Sequence, residues 1–382
     1  MNSLLEIPEL HEAPDIANAP ALLPPEAKPL SALIRHDGDD PNELLRHRYL
    51  CRGGGLLLVG PTGIGKSSLS MQAMILWAIG REFFGIRPAK PLKSLLVQAE
   101  NDDGDLAEMR DGVLAGLNLS EAEREMALSS IMVVREDSRT SRRFFAEVVR
   151  PLLEQHRPEL LWIDPALAYL GGEASSQETV GSFLRNELNP LLREFNCGAV
   201  VVHHTNKPPN GRDKPDWSAG DFAYLGSGSA EWANWSRAVL ALRNLGSPTV
   251  FELRAGKRGY RLGWMEVDGR TKAYAKTIAH AKEPGVIFWR EADALEVPTV
   301  DKAKAIPTPE CILAHVPPDR PIAKEVLRGK ANAAGIAWNK INALIAELID
   351  DGRLFEWLKK RPRTSPQILL ARGAQPPEEL LP

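Results

Sequence analysis

Eight consecutive residues, Gly60-Pro61-Thr62-Gly63-Ile64-Gly65-Lys66-Ser67, have the types and spacing of a loop that cradles phosphates. The glycines let successive backbone N–H groups converge on an anion, Lys66 adds a mobile cation for the β and γ phosphates, and the Ser67 hydroxyl suits Mg2+. Ser68 follows directly and is grouped with the loop as a nucleotide contact. The apolar run Leu56-Leu57-Leu58-Val59 before it and the helical pattern Leu69 to Trp77 after it supply the strand-to-helix context this chemistry needs. A helix N-terminus beneath the loop adds partial positive charge. The expected ligands are a nucleoside triphosphate, with ATP as the working assignment, and Mg2+.

Three further positions could complete such a site. Leu160-Leu161-Trp162-Ile163-Asp164 is an apolar strand ending in a carboxylate, which suits Asp164 to the metal beside Ser67. Leu95-Leu96-Val97-Gln98-Ala99-Glu100 ends in a second carboxylate that could polarise the attacking water. Glu100 could instead belong to an acidic helix start with Asn101, Asp102 and Asp103. The strand Ala199-Val200-Val201-Val202 ends in His203-His204, and alternation along a strand directs only one of the two imidazoles to the nucleotide.

The elements that must position these groups follow from periodicity. Between about residues 41 and 295, short apolar runs alternate with helical patterns, the sign of βαβ units around a mostly parallel sheet. Strands are expected at 56–60, 94–100, 131–135, 160–164 and 198–204, with helices near 66–80, 103–116, 141–156 and 176–196. Closely spaced strands at 238–242, 249–255, 263–268 and 286–291 suggest an antiparallel extension. Residues 1–40 read as an acidic, Pro-rich arm, 296–308 as a linker and 373–382 as a tail. Residues 309–372 have the order of a winged helix-turn-helix: helices at 311–315, 322–327 and 338–349, then strands at 354–358 and 367–371. In the third helix Trp338, Ile341, Leu344, Ile345, Leu348 and Ile349 should face the core, leaving Asn339, Lys340, Asn342 and Ala343 outside.

With 382 residues, two domains plus a tail is the natural expectation. No apolar run approaches the ~20 residues that span a bilayer, so a cytoplasmic protein with no membrane contact is expected. Cys51, Cys197 and Cys311 are too few and scattered for a disulfide framework or zinc site and read as buried thiols. The net charge of −3 is unevenly spread: residues 1–45 hold nine acids against two Lys or Arg, whereas residues 318–372 hold eleven Lys or Arg against six acids. The C-terminal end could therefore attract a polyanion.

The ordered set Gly60 to Ser67, Gln98-Ala99-Glu100-Asn101, Trp162-Ile163-Asp164, Val202-His203-His204-Thr205-Asn206-Lys207, Gly228-Ser229-Ala230 through Trp235-Ser236-Arg237, and Gly256-Lys257-Arg258-Gly259-Tyr260 resembles the RecA-like hexameric P-loop ATPases of the plasmid RepA replicative helicase type. The resemblance covers about residues 45–292. It implies an α/β fold, a RecA-like P-loop NTPase with a mostly parallel central sheet and an antiparallel extension, here joined to a small C-terminal winged helix-turn-helix domain. It implies roles for Lys66 and Ser67 in phosphate and metal binding, Glu100 as catalytic glutamate, Asp164 as metal ligand and His204 as γ-phosphate sensor. It also implies that Arg237 is an arginine finger, and Lys257 a second cation, offered to a neighbouring subunit of a hexameric ring. Read from charge alone, both could be solvated strand-end cations.

Nucleic acid has two expected contacts. The segment 206–225 interleaves Lys207, Arg212 and Lys214 with Trp217, Phe222 and Tyr224, which suits single-stranded DNA or else a mobile loop without a ligand. In the winged domain Lys340 and Arg353 with Lys359, Lys360, Arg361 and Arg363 suit duplex phosphates, although such domains also bind proteins. The reading is thus a Mg2+-dependent ATPase acting on DNA as a ring-forming helicase or motor. Its competitor is a nucleotide-switched DNA-binding regulator or loader without unwinding activity.

Overall fold

A computed structural model describes residues 27–36, 38–205, 228–245, 249–297, 308–334, 336–359 and 365–373. The expectations for most of the N-terminal arm, the 206–225 segment, most of the linker, Lys360, Arg361, Arg363 and the tail lie outside the described residues. The chain divides into two units, Met1–Glu291 and Ala292–Pro382.

The first unit opens with the hairpin β1 (Glu43–Leu45) and β2 (Leu50–Cys51). Next come β3 (Gly55–Gly60), α1 (Lys66–Ala78), β4 (Ser94–Gln98), α2 (Asp103–Gly116), α3 (Glu121–Ser129) and β5 (Ile131–Arg135). α4 (Ser141–Phe144) and α5 (Arg150–His156) are joined by a π-helical stretch over Phe145–Val149, and lead to β6 (Leu160–Asp164) and α6 (Ala166–Tyr169). α7 (Gln177–Gly181) and α8 (Asn189–Glu194) are likewise joined through Ser182–Leu188, before β7 (Gly198–His204). α9 (Glu231–Trp235), β8 (Ala238–Asn244), β9 (Val250–Lys257), β10 (Ala275–His280) and β11 (Trp289–Glu291) close the unit. Nine of these strands form one sheet in the order β11-β10-β9-β8-β3-β7-β6-β4-β5. The six from β8 to β5 are parallel and β9, β10 and β11 run antiparallel, which is the expected α/β architecture.

Strand alternation sorts the side chains into two apolar layers, one on each face. Leu56, Leu58, Leu96, Leu160, Trp162, Val200 and Val202 share one layer with the buried face of α1. Leu57, Val59, Leu95, Val97, Leu161, Ile163, Ala199 and Val201 share the other with Phe144, Phe183 and Trp232. Continuing that parity past the last apolar residue sends Asp164 and His204 toward α1 and sends His203 to the opposite layer. There the His203 ring stacks on Trp232 with centroids 4.2 Å apart. α1 itself is buried on nearly all sides, as its apolar KSSLSMQAMILWA sequence requires.

Several expectations are corrected. Residues 263–268 are not a strand: Gly259–Leu262 is a 3-10 turn, Gly263 and Gly269 have positive φ, and Asp268 folds the chain back by accepting from the Arg270 and Thr271 N–H groups. The strand that the extension needs is β10, and the strand expected at 286–291 shrinks to β11. α3 was not anticipated, although Ser120 and Glu123 form the capping box that announces it. Cys197 is buried, but Cys51 is half-buried and Cys311 is exposed.

The second unit contains α10 (Pro309–Leu313), β12 (Ile322–Ala323), α11 (Lys324–Ala333), α12 (Trp338–Asp350), β13 (Phe355–Lys359) and β14 (Gln367–Ala371). Its sheet has the order β12-β14-β13, all antiparallel. The expected helix 322–327 starts as a strand because Ile322 and Ala323 pair with Leu370 and Leu369, and helix begins only at Lys324. Ile341, Ile345 and Leu348 fill the core with Ile312, Leu327 and Leu354. Trp338 does not: at the first turn of α12 it lies half exposed, with the Arg328 guanidinium 5.0 Å from its ring. Asn339, Lys340, Asn342 and Ala343 are exposed. Among the described residues no helix is long and apolar enough to cross a membrane.

Candidate functional site

The C-terminal ends of the parallel strands bring four separated groups together. Gly60 at the end of β3 is in register with His204 at the end of β7, and Asp164 at the end of β6 is in register with Gln98 on β4. Between β3 and α1 the loop turns through Gly63 (φ 74°) and Gly65 (φ 94°), left-handed conformations that L side chains enter only at a cost. The position a Cβ would take on Gly63 meets nothing within 4 Å, so the loop is open above that residue.

Lys66 is almost fully buried, and its ammonium donates to the Gly60 carbonyl at 2.9 Å and the Pro61 carbonyl at 2.8 Å. It also lies 3.1 Å from His204 Nδ1, which the Thr62 hydroxyl approaches at 3.3 Å. On the other side of that ring, Nε2 lies 3.9 Å from Glu100 Oε1. Burial lowers the Lys66 pKa, while the charges of Asp164 and Glu100 work to raise it. His204 is lowered by burial and by the Lys66 charge, against Glu100.

Asp164 is buried and accepts a hydrogen bond from Ser67. Burial pushes its carboxyl up to about 6, with the Ser67 bond and the Lys66 charge opposing and the Glu100 charge adding. A hydroxyl and a carboxylate side by side form the hard oxygen donor set that suits Mg2+, which otherwise keeps waters and phosphate oxygens as ligands. Among the described residues no cluster of three or more His, Cys, Asp or Glu forms a protein-only metal cage.

Glu100 sits beyond the strand, which ends at Gln98. The buried Gln98 amide makes that turn: its Nε2 donates to the Asn101 carbonyl at 2.6 Å and its Oε1 accepts from the Asn101 N–H at 2.8 Å. Asp102 then caps α2 through a capping box with Asp105. The acidic run therefore divides its tasks: Asp102 starts the helix, while Glu100 projects toward His204 and is largely exposed.

Ser68 is placed differently from its neighbours. Its hydroxyl donates to the Gly65 carbonyl at 2.9 Å and accepts from the Trp289 indole N–H at 3.0 Å, deep in the protein.

Arg237 and Lys257 are not brought to this cluster. Arg237 precedes β8, whose start is in register with Leu56, so it stands at the opposite end of β3, roughly 17 Å of strand away from Gly60. Lys257 donates to the Ala233 and Ser236 carbonyls at 2.9 and 2.6 Å, closing the end of α9. With Arg185, Arg193 and Arg258 they line a cavity of about 340 Å³ with no carboxylate among its described lining residues. Arg185 is paired with Glu231, whereas among the described residues no hydrogen bond or ion pair engages the Arg237 guanidinium. Burial lowers the Lys257 pKa, and the charges of Arg237, Arg258 and Arg185 lower it further. Arg185 and Arg193 escaped the sequence reading because their meeting with Arg258 depends on the Ser182–Leu188 stretch, α8, the end of β9 and the 53–55 turn packing together. No local pattern announces it.

Comparison with known proteins gives one family match. Residues 24–210 match the family model described as AAA domain, a span that includes the loop, Glu100, Asp164 and His204. None of the curated proteins matches the chain. Among solved structures, the crystal structure of the RadB recombinase aligns at 15% identity with a TM-score of 0.40, covering 63% of this chain and 92% of that one. The domain match and the loop geometry support a P-loop ATPase unit in the first part of the chain.

Proposed function

We propose that this chain is a Mg2+-dependent ATPase acting on DNA, a ring-forming helicase or motor of the RepA type. The observation that carries the proposal is the convergence of Lys66, Ser67, Asp164, His204 and Glu100 at one sheet edge. In this reading the loop N–H groups and Lys66 hold the phosphates of ATP, and Ser67 with Asp164 holds Mg2+. The bound ion would neutralise charge on the phosphate oxygens. Glu100 orients the water, and its exposure leaves it accessible to solvent. His204, wedged between Lys66 and Glu100, reports phosphate occupancy to the segment that follows β7.

A ring is supported by the basic cavity around Arg237. It lies at the end of β3 remote from the chain's own loop, and only Arg185 among its cations is paired with a carboxylate among the described residues, Glu231. A second copy's nucleotide would supply the missing negative charge, so that Arg237 and Lys257 act in trans. DNA contact is assigned to the 206–225 segment for single strands and to the second unit as a winged helix for duplex. The exposed Lys340 on α12 and the basic excess of residues 318–372 support the duplex assignment.

ATP turnover by the full chain, with and without single-stranded DNA, tests the reading. Strong acceleration by DNA and loss of nucleotide binding in Lys66→Ala are expected. Turnover indifferent to DNA, with nucleotide binding intact in the unsubstituted chain, would favour the switched regulator or loader.

A further inference from the structure

The back of the phosphate loop is held by a residue more than two hundred positions away. Trp289, the first residue of β11, is fully buried, and its indole ring lies against Gly65: a Cβ on that glycine would come within 2.7 Å of Trp289 Cζ2. The indole N–H donates to Ser68 Oγ at 3.0 Å, and that hydroxyl donates onward to the Gly65 carbonyl at 2.9 Å. One helical turn later, on the same face of α1, Gln72 closes both backbone groups of Trp289. Its Oε1 accepts from the Trp289 N–H at 2.7 Å, and its Nε2 donates to the Trp289 carbonyl at 2.8 Å. His280 and Phe251 pack on the indole with centroids 4.0 and 5.1 Å away.

We propose that Trp289 is a positioning residue for nucleotide binding, fixing the last turn of the phosphate loop and the start of α1 through Ser68 and Gln72. The inference rests on the nucleotide-binding reading above. Its physical basis is that the N–H groups of Gly65, Lys66 and Ser67 bind phosphate only if they point into one concavity, and Gly65 is the residue whose backbone the indole touches. Gly65 carries no side chain to anchor it. Its orientation depends on the ring behind it and on the Ser68 hydroxyl bridging its carbonyl to the indole. The contact concerns the inner phosphates, which ATP and ADP share, so both nucleotides should feel its loss equally while the chemical step does not.

The test is calorimetric titration of the full-length chain with ADP and with a non-hydrolysable ATP analogue. Trp289→Phe keeps a ring but removes the N–H, and about a five- to tenfold rise in Kd is expected for both nucleotides. Binding stoichiometry should hold, and kcat at saturating ATP should stay within about twofold. Ser68→Ala removes that bond and the one to the Gly65 carbonyl, so it should give at least as large a rise, with the double variant no worse than Ser68→Ala alone. A merely structural tryptophan would lower the stoichiometry and leave Kd unchanged, which overturns the inference. Additive losses in the double variant also overturn it. If Trp289→Phe does not fold, Gln72→Met removes the other half of the grip one turn from the loop, and an unaltered Kd there overturns the proposal. Should the unsubstituted chain bind neither nucleotide, the functional reading itself falls, an outcome distinct from normal binding that Trp289 does not affect.

Discussion

The Lys66 ammonium and the His204 ring are joined edge to edge, with Nζ 3.1 Å from Nδ1. An ammonium can only donate, so Nδ1 accepts and the ring's proton sits on Nε2, the atom that faces Glu100. This arrangement requires a neutral imidazole, in keeping with the downward shift that burial and Lys66 impose on His204. His204, proposed above as a γ-phosphate sensor, thus lies between Lys66 and Glu100, the groups proposed to hold phosphate and to orient water.

Glu100→Gln keeps the size of the side chain and removes its basicity. Hydrolysis is expected to fall by about 10²- to 10³-fold while ATP binding persists. Single-turnover hydrolysis measured beside the Kd of a non-hydrolysable analogue checks this, and equal losses in both would contradict the assigned role.

Arg237→Ala and Lys66→Ala should each be inactive alone if Arg237 works in trans. Mixing the two proteins should then restore part of the turnover, because mixed assemblies contain junctions with an intact loop facing an intact Arg237. Absence of any recovery, in mixtures shown by mass to contain both chains, would place Arg237 outside the neighbour's site.

Gly65→Ala and Gly63→Ala differ in an instructive way. Both force an L side chain into a left-handed turn, which costs about 1–2 kcal/mol. Only at position 65 does the new methyl also collide, since Trp289 stands behind it while the space at Gly63 is open. Thermal unfolding should show the larger loss for Gly65→Ala.

Glu136, just past the end of β5, offers a stability test. Burial raises its carboxyl pKa, but hydrogen bonds from the Ser138 hydroxyl and N–H and from the Arg139 N–H and guanidinium outweigh this and hold it at about 2, below its ordinary 4.5. A folded value below the unfolded one means the contribution is complete above about pH 4.5 and is lost as pH falls toward 2. Glu136→Gln should therefore lose on the order of 2 kcal/mol at neutral pH and show a flatter decline in acid, measured by denaturant titration from pH 7 down to 3.

Much of the site was legible from local pattern. The glycine spacing before Lys66 and the apolar strands ending in Asp164 and His204 report short-range constraints, a phosphate-sized concavity and a buried parallel strand. The opposite fates of His203 and His204 follow from the two-residue repeat. Trp338 escaped because helical spacing says which face a residue takes but not where the neighbouring element ends. Its position at the first turn leaves it at the rim of the core, beside Arg328. Residues 263–268 escaped because their alternation resembles a strand while Gly263 and Gly269 break it.

By itself the sequence determined the glycine-rich loop before Lys66, most of the strands and helices around it and the acidic and basic ends of the chain, since each is written in neighbouring residues. The tertiary structure alone decided that Trp289 backs Gly65, that Ser68 is bound to that indole, and that five cations from distant elements meet at the far end of β3. Those contacts depend on which strands lie side by side in the sheet and on how the antiparallel extension packs against α1. That choice is made by the burial of whole faces, not by any local run of residues.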